Sequence, residues 1–183
     1  KIPCLGIEPT DSTADAAEAL GIPVLREFFG EKIASHIAID HKKADLISGN
    51  NVYAHVPDIN DFTKGLAAVL ESSGTITLEF PHLMKLLEFN QFDTIYHEHF
   101  SYLSLFSVSK IFASAGLRIY DVEELSTHGG SIRVFGCHDK SDIQETNAVQ
   151  LMLNRELEYG MQAIDVYKNF QDDANKIKDT FLH

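Results

Sequence analysis

The chain has 183 residues, of which 44% are apolar, so its length and composition fit one domain of ordinary size with a real hydrophobic core. Its 15 basic and 27 acidic residues give a net charge of −12, and a chain of this charge without a basic stripe is not expected to bind nucleic acid. No apolar stretch reaches about 18 residues, which argues against a membrane span, and no signal peptide is visible.

Short apolar runs alternate with amphipathic helical runs in the first half of the chain. Strands are predicted at residues 2–7, 22–25, 44–48 and 75–80, and helices at 10–20, 32–39 and 58–70. Thr10 or Asp11 can cap the first helix, which Gly21 ends, and Asp58 can cap the third. Strands that alternate with helices predict an α/β fold, with a mostly parallel sheet covered on both faces.

The second half of the chain has a different pattern. Helices are predicted at residues 81–92 and 107–115, and two strands at 117–125 and 131–137 flank a short turn, so they are expected to be antiparallel. From residue 141 onward the sequence is polar and indicates one long helix or two broken ones. Apolar residues with helix-like spacing there are Met152, Leu153, Leu157, Met161, Ile164 and Tyr167. We treat residues 1–140 as an α/β domain and 141–183 as a helical extension.

The run Tyr96-His97-Glu98-His99 concentrates acid–base chemistry in four residues. Imidazole exchanges a proton near neutrality, glutamate can orient an imidazole, and a phenol can donate to an oxygen that gains negative charge. On a helix, Tyr96 and His99 would share one face with Phe92, whereas on a strand His97 and His99 would face together, as a metal site requires. The plainer alternative is one buried, hydrogen-bonded histidine with the others in solvent.

Side chains suited to a nucleoside follow three of the predicted strands. Glu8 follows the first and can accept hydrogen bonds from both ribose hydroxyls. Phe28, flanked by Glu27 and Phe29, follows the second and offers a flat surface for an adenine, and the amides of Asn50 and Asn51 follow the third. Ligands of open α/β sheets bind beyond the carboxyl ends of the strands, so together these groups predict an adenosine-containing cofactor. Taken singly, each has a plainer interpretation as a solvated polar group or a core aromatic.

Two familiar site signatures are absent from the sequence. Neither GxGxxG nor GxxxxGK[ST] occurs, which favours a cofactor held by its ribose, base and amino-acid end. Cys4 and Cys137 form no CxxC pair and cannot alone make a structural zinc site. They are expected to be small buried residues in a reducing compartment, which predicts a cytoplasmic location.

Five segments in this order resemble the S-adenosylmethionine-dependent C-methyltransferases that act on nucleotide-linked keto-sugars. They are Gly6-Ile-Glu-Pro9, Glu27-Phe-Phe29, Asn51-Val-Tyr-Ala-His-Val-Pro57, Phe92-Asp-Thr-Ile-Tyr-His-Glu-His-Phe-Ser-Tyr-Leu103 and His128-Gly-Gly-Ser-Ile-Arg133. The resemblance covers essentially the whole chain. It implies a Rossmann-like class I methyltransferase sheet with an antiparallel strand pair near its end.

Three parts of that family's pattern are missing from this sequence. They are a cysteine-rich zinc module, a first strand with its glycine loop, and a further C-terminal α/β domain. We therefore expect that a central strand of the sheet is absent, and that zinc belongs only to the missing module. We also expect that the chain alone binds S-adenosylmethionine poorly, because the absent loop cradles the methionine end of that cofactor.

The resemblance implies methyl transfer to a nucleoside-diphosphate 4-keto-6-deoxy sugar, at the carbon next to the ketone. In this hypothesis His99 removes the proton from that carbon, and Tyr96 and His55 donate to the enolate oxygen. Glu98 holds the tautomer of His99 or binds the substrate. Glu8, Phe28, Asn50 and Asn51 bind the cofactor, while His128, Gly129, Gly130 and Arg133 bind the substrate.

Each of these assignments has a rival. His55 either acts in the site or braces the turn before Asp58, the His128-Gly129-Gly130 turn either touches the sugar or only joins two strands, and Arg133 pairs with either a diphosphate or a carboxylate. At the level of function, the rivals are a metal-dependent enzyme using the 97–99 run with His82, and a non-catalytic binding or assembly module. A relative that has lost catalysis is a third alternative.

Overall fold

The computed structural model describes residues 2–182. Its strands are β1 (Gly6–Ile7), β2 (Val24–Leu25), β3 (Ala44–Asn50), β4 (Leu70–Pro81), β5 (Leu117–Leu125) and β6 (Ser131–His138). Its α-helices are α1 (Asp11–Ala19), α2 (Glu31–Asp40), α3 (Ile59–Val69), α4 (Leu83–Glu88), α5 (Leu105–Ser114), α6 (Asn147–Tyr159), α7 (Asp165–Lys168) and α8 (Phe170–Leu182). No helix within residues 2–182 combines the length and apolarity that a membrane crossing needs.

The strands form two separate sheets. In the larger sheet the order is β3-β4-β6-β5, with β3 parallel to β4 and the other two pairings antiparallel. β1 and β2 pair in parallel with each other, and within residues 2–182 no ladder joins them to β3. The expected antiparallel pair near the end of the sheet is confirmed, and the expected gap in the sheet agrees with this split.

The main core lies between the larger sheet and the helices that cover it. Alternate residues of β4 point into this core, as the two-residue period of a strand requires: Ile76, Leu78 and Phe80 are each at most 1% exposed. From the helices, Phe62 of α3 and Phe112 of α5 pack into the same cluster. The larger sheet thereby provides the fixed platform that carries the loops at its edge.

A smaller core joins the two sheets through the contact between α2 and α3. Ala34 and Val69 are buried there, and Ile7 and Ile47 pack against them from β1 and β3. The helices approach closely because Gly65 has no side chain, and an added Cβ would lie 2.9 Å from the backbone of Gly30. The relative position of the two sheets therefore depends on this helix pair.

Most predicted elements are present, with shifted ends. Asp58 caps α3 as predicted and accepts hydrogen bonds from the amides of Asn60 and Asp61. The helix predicted over residues 81–92 is reduced to α4 and a short 3-10 turn, and the C-terminal region contains three helices rather than one or two. Cys137 is buried as expected, but the expectation for Cys4 is wrong, because it lies in the irregular segment before β1 and is exposed.

Candidate functional site

His99 lies in the irregular segment between α4 and α5, where its ring makes two hydrogen bonds. Its Nδ1 is 3.1 Å from the carbonyl oxygen of Thr94, and because a carbonyl only accepts, Nδ1 carries the proton. In the neutral ring the lone pair then belongs to Nε2, and the hydroxyl of Tyr96 donates to it across 3.2 Å. The basic nitrogen of His99 is thus defined, and a phenol lies beside it.

His55 lies next to His99 because backbone hydrogen bonds hold their two segments together. The amides of Phe100 and Ser101 donate to the carbonyl of Ala54 at 2.9 and 3.2 Å. As a result, the ring centres of His55 and His99 are 4.7 Å apart, with their planes inclined by 64°. These two histidines, 44 residues apart in the sequence, can therefore act on one small group.

Tyr53 fixes the turn that carries His55. Its ring is completely buried against Phe62 and Phe80, and its hydroxyl is hydrogen-bonded to Thr63 at 2.7 Å. A buried aromatic ring with a satisfied hydroxyl locks the short 3-10 turn at residues 53–55 onto the core. Consequently the position of His55 is set by the core rather than by a free loop.

The surroundings of His99 lower its pKa below the ordinary histidine value. Partial burial is the largest cause, since it disfavours the charged ring. The carbonyl of Thr94 raises the pKa, His55 lowers it by charge repulsion, Glu98 raises it, and His128 lowers it. The net effect favours the neutral imidazole, which is the form that can accept a proton.

A small cavity of about 10 Å³ lies beside the His99 ring. Ser101, Tyr102 and His82 help to line it, and the ring of Tyr102 is nearly perpendicular to that of His99, with ring centres 5.8 Å apart. This volume is about that of one water molecule. A larger ligand therefore reaches His99 only from the exposed side, where Tyr96 lies.

Asn51 and His128 form a second pair of polar residues, joined across 77 positions of sequence. The side-chain amide of Asn51 lies 3.2 Å from Nε2 of His128. Both residues have left-handed backbones, with φ of 55° and 51°, which is uncommon for residues other than glycine. Asparagine tolerates this conformation, whereas at His128 it is strained and persists because the surrounding structure enforces it, as is common at functional sites.

Three hydrogen bonds hold the turn that carries His128. The side-chain amide of Gln91 donates to the carbonyl of Gly129 at 2.8 Å, and the backbone amide of His82 donates to the carbonyl of Gly130 at 3.0 Å. The hydroxyl of Thr127 donates to the carboxylate of Glu79 at 3.0 Å. This turn is therefore a positioned structure and not a free hairpin end.

Arg133 supports the same turn from β6. Its guanidinium contacts Glu79 at 2.8 Å and Glu123 at 3.2 Å. Glu79 is 5% exposed, so this ion pair is largely shielded from water. Of the two partners considered from the sequence, a diphosphate or a carboxylate, the structure thus shows Arg133 paired with carboxylates.

The groups predicted to bind an adenosine lie at the carboxyl ends of β1, β2 and β3. The carboxylate of Glu8 accepts a hydrogen bond from the amide of Thr10 at 2.8 Å. Phe28 is 81% exposed and presents an unshielded aromatic face, and Asn50 is exposed at the end of β3. A carboxylate, an exposed ring and an amide fit the ribose and base of such a cofactor.

Sequence reasoning gave Glu98 a role that another group fills. The carbonyl of Thr94 fixes the tautomer of His99, and within residues 2–182 no hydrogen bond joins Glu98 to that ring. The segment is neither the helix nor the strand considered from the sequence, and both His97 and Glu98 are exposed. In the described part of the chain no three metal-ligating side chains converge on one point.

Four residues of the site were missed by sequence reasoning. Thr94 and Gln91 act through backbone-directed hydrogen bonds, which leave no signature in sequence. Glu79 and Glu156 are buried carboxylates, at 5% and 0% exposure. These two could have been found from the sequence, since each is an acidic residue on an otherwise apolar face of a strand or helix.

Comparison of the fold with solved structures identifies its class. A SAM-dependent methyltransferase from Anabaena variabilis matches 73% of this chain and 67% of its own, with a TM-score of 0.58 and 15% identity. An S-adenosylmethionine-dependent methyltransferase from Clostridium acetobutylicum matches 73% of this chain and 74% of its own, with a TM-score of 0.54 and 11% identity. The fold is that of the class I methyltransferases.

Sequence comparison then gives the family. The family model described as a methyltransferase domain matches residues 4–122, and the one described as the C-terminal domain of C-methyltransferases matches residues 126–183. The chain belongs to the methyltransferase domain family. The C-methyltransferase NovU from Streptomyces niveus is 37% identical over 174 residues, which are 95% of this chain. The chain spans 41% of the length of that relative.

Proposed function

We propose that the protein transfers a methyl group from S-adenosylmethionine to the carbon next to the ketone of a nucleoside-diphosphate 4-keto-6-deoxy sugar. The observation that carries this proposal is the defined lone pair on Nε2 of His99, beside two further proton donors. A proton on a carbon next to a carbonyl is acidic enough for a positioned imidazole to remove. The relationship to a C-methyltransferase supports carbon as the acceptor.

The residues at the three strand ends would hold the cofactor. In this proposal Glu8 binds the ribose, Phe28 packs on the adenine, and Asn50 and Asn51 border the ligand at the end of β3. When bound, S-adenosylmethionine supplies an electrophilic methyl group. The substrate approaches from the side of the His128 turn, with Gly129 and Gly130 against the sugar.

Proton transfer is the step that this chain's own residues perform. Nε2 of His99 takes the proton from the carbon, the electron pair of that C–H bond forms a C=C bond to the former carbonyl carbon, and the carbonyl π electrons move to the oxygen to give an enolate. Tyr96 turns its hydroxyl from His99 to that oxygen, and His55 donates from the other side. Preorganised donors of this kind stabilise the developing charge. Arg133, through Glu79, holds the His128 turn in place.

Solvent-exchange measurement tests this assignment. The protein is incubated with the keto-sugar nucleotide in D₂O without cofactor, and deuterium at the carbon next to the ketone is followed by NMR. His99→Ala should slow this exchange by about 10²–10⁴-fold, because it removes the positioned base. His97→Ala is the matched control, since it removes an exposed neighbouring imidazole and should leave the rate unchanged. Equal rates for wild type and His99→Ala would remove His99 from this role.

A further inference from the structure

Glu156 of α6 is a completely buried carboxylate with three hydrogen-bond donors. Its Oε1 accepts from the amide of Leu105 at 2.6 Å and lies 2.7 Å from Nε2 of His82, and its Oε2 accepts from the amide of Phe106 at 2.9 Å. Leu105 and Phe106 begin α5, whose free amides and dipole favour a negative charge at this position. Nothing in the function proposed above uses this carboxylate.

The hydrogen bonds of Glu156 define the tautomer of His82. A carboxylate that already accepts two backbone amides can only accept again, so Nε2 of His82 carries a proton and donates it. The other ring nitrogen, Nδ1, is buried and has no hydrogen-bond partner among residues 2–182. His82 is 1% exposed, so its ring orientation depends on Glu156 rather than on solvent.

His82 lies where the elements of the candidate site meet. His82 and His99 both line the same 10 Å³ cavity. Its backbone amide bonds to Gly130 of the His128 turn at 3.0 Å, and its backbone bridges to Leu103, which ends the segment containing His99. A shift of His82 would therefore reach both sides of the site.

We propose that Glu156 and His82 are positioning residues: together they fix the segment of His99 and the turn of His128 relative to α5. Glu156 comes from the region that matches the C-terminal domain of C-methyltransferases, whereas His99 comes from the methyltransferase domain region. The helix α6 is thus part of the site's framework. This inference rests on the proposed function for its catalytic consequence, but its structural consequence is measurable separately.

The test compares Glu156→Gln with Glu124→Gln. Glutamine keeps the volume of Glu156 but loses the charge and one acceptor oxygen. Glu124 is the matched control because its ion pair with Arg155 also holds α6, next to Glu156, while among residues 2–182 it makes no hydrogen bond or ion pair with His82 or α5. Each variant is examined by ¹⁵N NMR of the histidine rings, by the kcat and KM of deuterium exchange, and by thermal unfolding.

Glu156→Gln should change the ring ¹⁵N shifts of His82 and His99 and lower kcat by about 10- to 100-fold, the loss expected when a reacting group is displaced by about 1 Å. KM should rise by less than kcat falls, because Glu156 touches no substrate and reaches the His128 turn only through the backbone of His82. Glu124→Gln should change neither the ring ¹⁵N shifts nor kcat, even where it lowers the melting temperature as much as Glu156→Gln does. His82→Gln is the second variant if Glu156→Gln does not fold, with the same expected changes at His99.

Two results separate failure of this inference from failure of the proposed function. If Glu156→Gln melts earlier but keeps the His99 shifts and kcat of the wild type, the buried carboxylate only stabilises the fold and the inference is wrong. If the wild type itself exchanges no deuterium, the proposed function fails, and the His99 shifts alone decide whether Glu156 positions that ring.

Discussion

A histidine acts as a base only in its neutral form, and the groups around His99 push its pKa in both directions. Burial and the nearby His55 and His128 lower the pKa, whereas the Thr94 carbonyl and Glu98 raise it. Because the groups that lower the pKa outweigh those that raise it, the ring of His99 stays neutral to a lower pH than that of a free histidine. This balance makes the acid side of the pH profile a sensitive measure of the site.

We expect the rate of deuterium exchange to fall on the acid side with a midpoint below the ordinary histidine pKa of about 6.5. Glu98→Gln should move that midpoint to lower pH, since it removes a group that raises the pKa of His99. His128→Gln should move it to higher pH, since it removes a group that lowers it. Rate–pH profiles of the three proteins check this, and shifts in the same direction for both variants would contradict it.

The backbone of Asn51 gives a stability prediction at a single residue. Its φ of 55° suits glycine and asparagine but costs other residues about 1–2 kcal/mol. We therefore expect Asn51→Gly to be more stable than Asn51→Ala by about 1 kcal/mol in urea unfolding. Asn50, which precedes it in β3 with an ordinary backbone, is the control, and there the alanine variant should be at least as stable as the glycine variant.

At the scale of elements, the contact of α2 with α3 depends on the absence of a side chain at Gly65. Alanine is a better helix former than glycine by about 1 kcal/mol. However, its Cβ would lie 2.9 Å from the backbone of Gly30, which cannot rotate away as a side chain could. Overpacking of this kind costs about 1–3 kcal/mol, so Gly65→Ala should lower the free energy of unfolding.

Chemical denaturation measures this effect against a variant in the same helix. Lys64→Ala changes an exposed neighbour and should alter the free energy of unfolding by no more than about 0.5 kcal/mol. A Gly65→Ala variant as stable as the wild type would mean that α2 and α3 separate easily, and that the smaller core does not fix the two sheets.

Elements whose signals are local were predictable from sequence, and those decided by distant partners were not. Asp58 caps α3 through amides two and three residues away, so its pattern is complete in the sequence. The aromatic residues between 92 and 103 have helical spacing, yet the backbone of this segment bonds to Ala54 at Phe100 and forms a bridge with His82 at Leu103. Those partners lie far away in the chain, and a local sequence pattern carries no information about contacts that compete with helix formation.

The same limit applies to α6 in the C-terminal region. The spacing that included Leu157 predicted a helix, but the side of α6 that faces the core carries Glu156, while Leu157 is 56% exposed. A carboxylate is rarely buried without partners. Its partners here are 51 and 74 residues away, at Leu105 and His82. Sequence therefore gave the helix and some core residues but not the polar contact that links it to the site.

At the scale of the whole molecule, the candidate site is assembled from both regions matched by family models. His55 and His99 belong to residues 4–122, and His128 belongs to residues 126–183. The hydrogen bond between Asn51 and His128 and the contacts of Glu79 cross this boundary. The clustering of Tyr96 and His99 could be predicted because the motif places them three residues apart, whereas the position of the His128 turn beside them is a property of the folded sheet.

The split sheet leads to a prediction about cofactor affinity. Glu8 directly follows β1 and Asn50 ends β3, and within residues 2–182 no strand ladder connects these two elements. Within residues 2–182, the α2–α3 contact with its small core and the packing of Phe29 on Phe62 hold one half of the predicted cofactor site relative to the other. Binding of a ligand that spans both halves must then fix them relative to each other, and the free energy that this costs weakens the net affinity.

We therefore expect the isolated chain to bind S-adenosylmethionine with a Kd of about 1 mM or weaker, equivalent to about −4 kcal/mol. Isothermal titration calorimetry of the 183-residue chain measures this directly, and a cooperative thermal transition under the same conditions shows that the protein is folded. Phe28→Ala should have little further effect, because a ring that packs on a weakly held adenine contributes little at this affinity. Tight one-to-one binding by the chain would contradict the prediction and would show that the α2–α3 contact alone aligns the two sheets well enough to form the cofactor site.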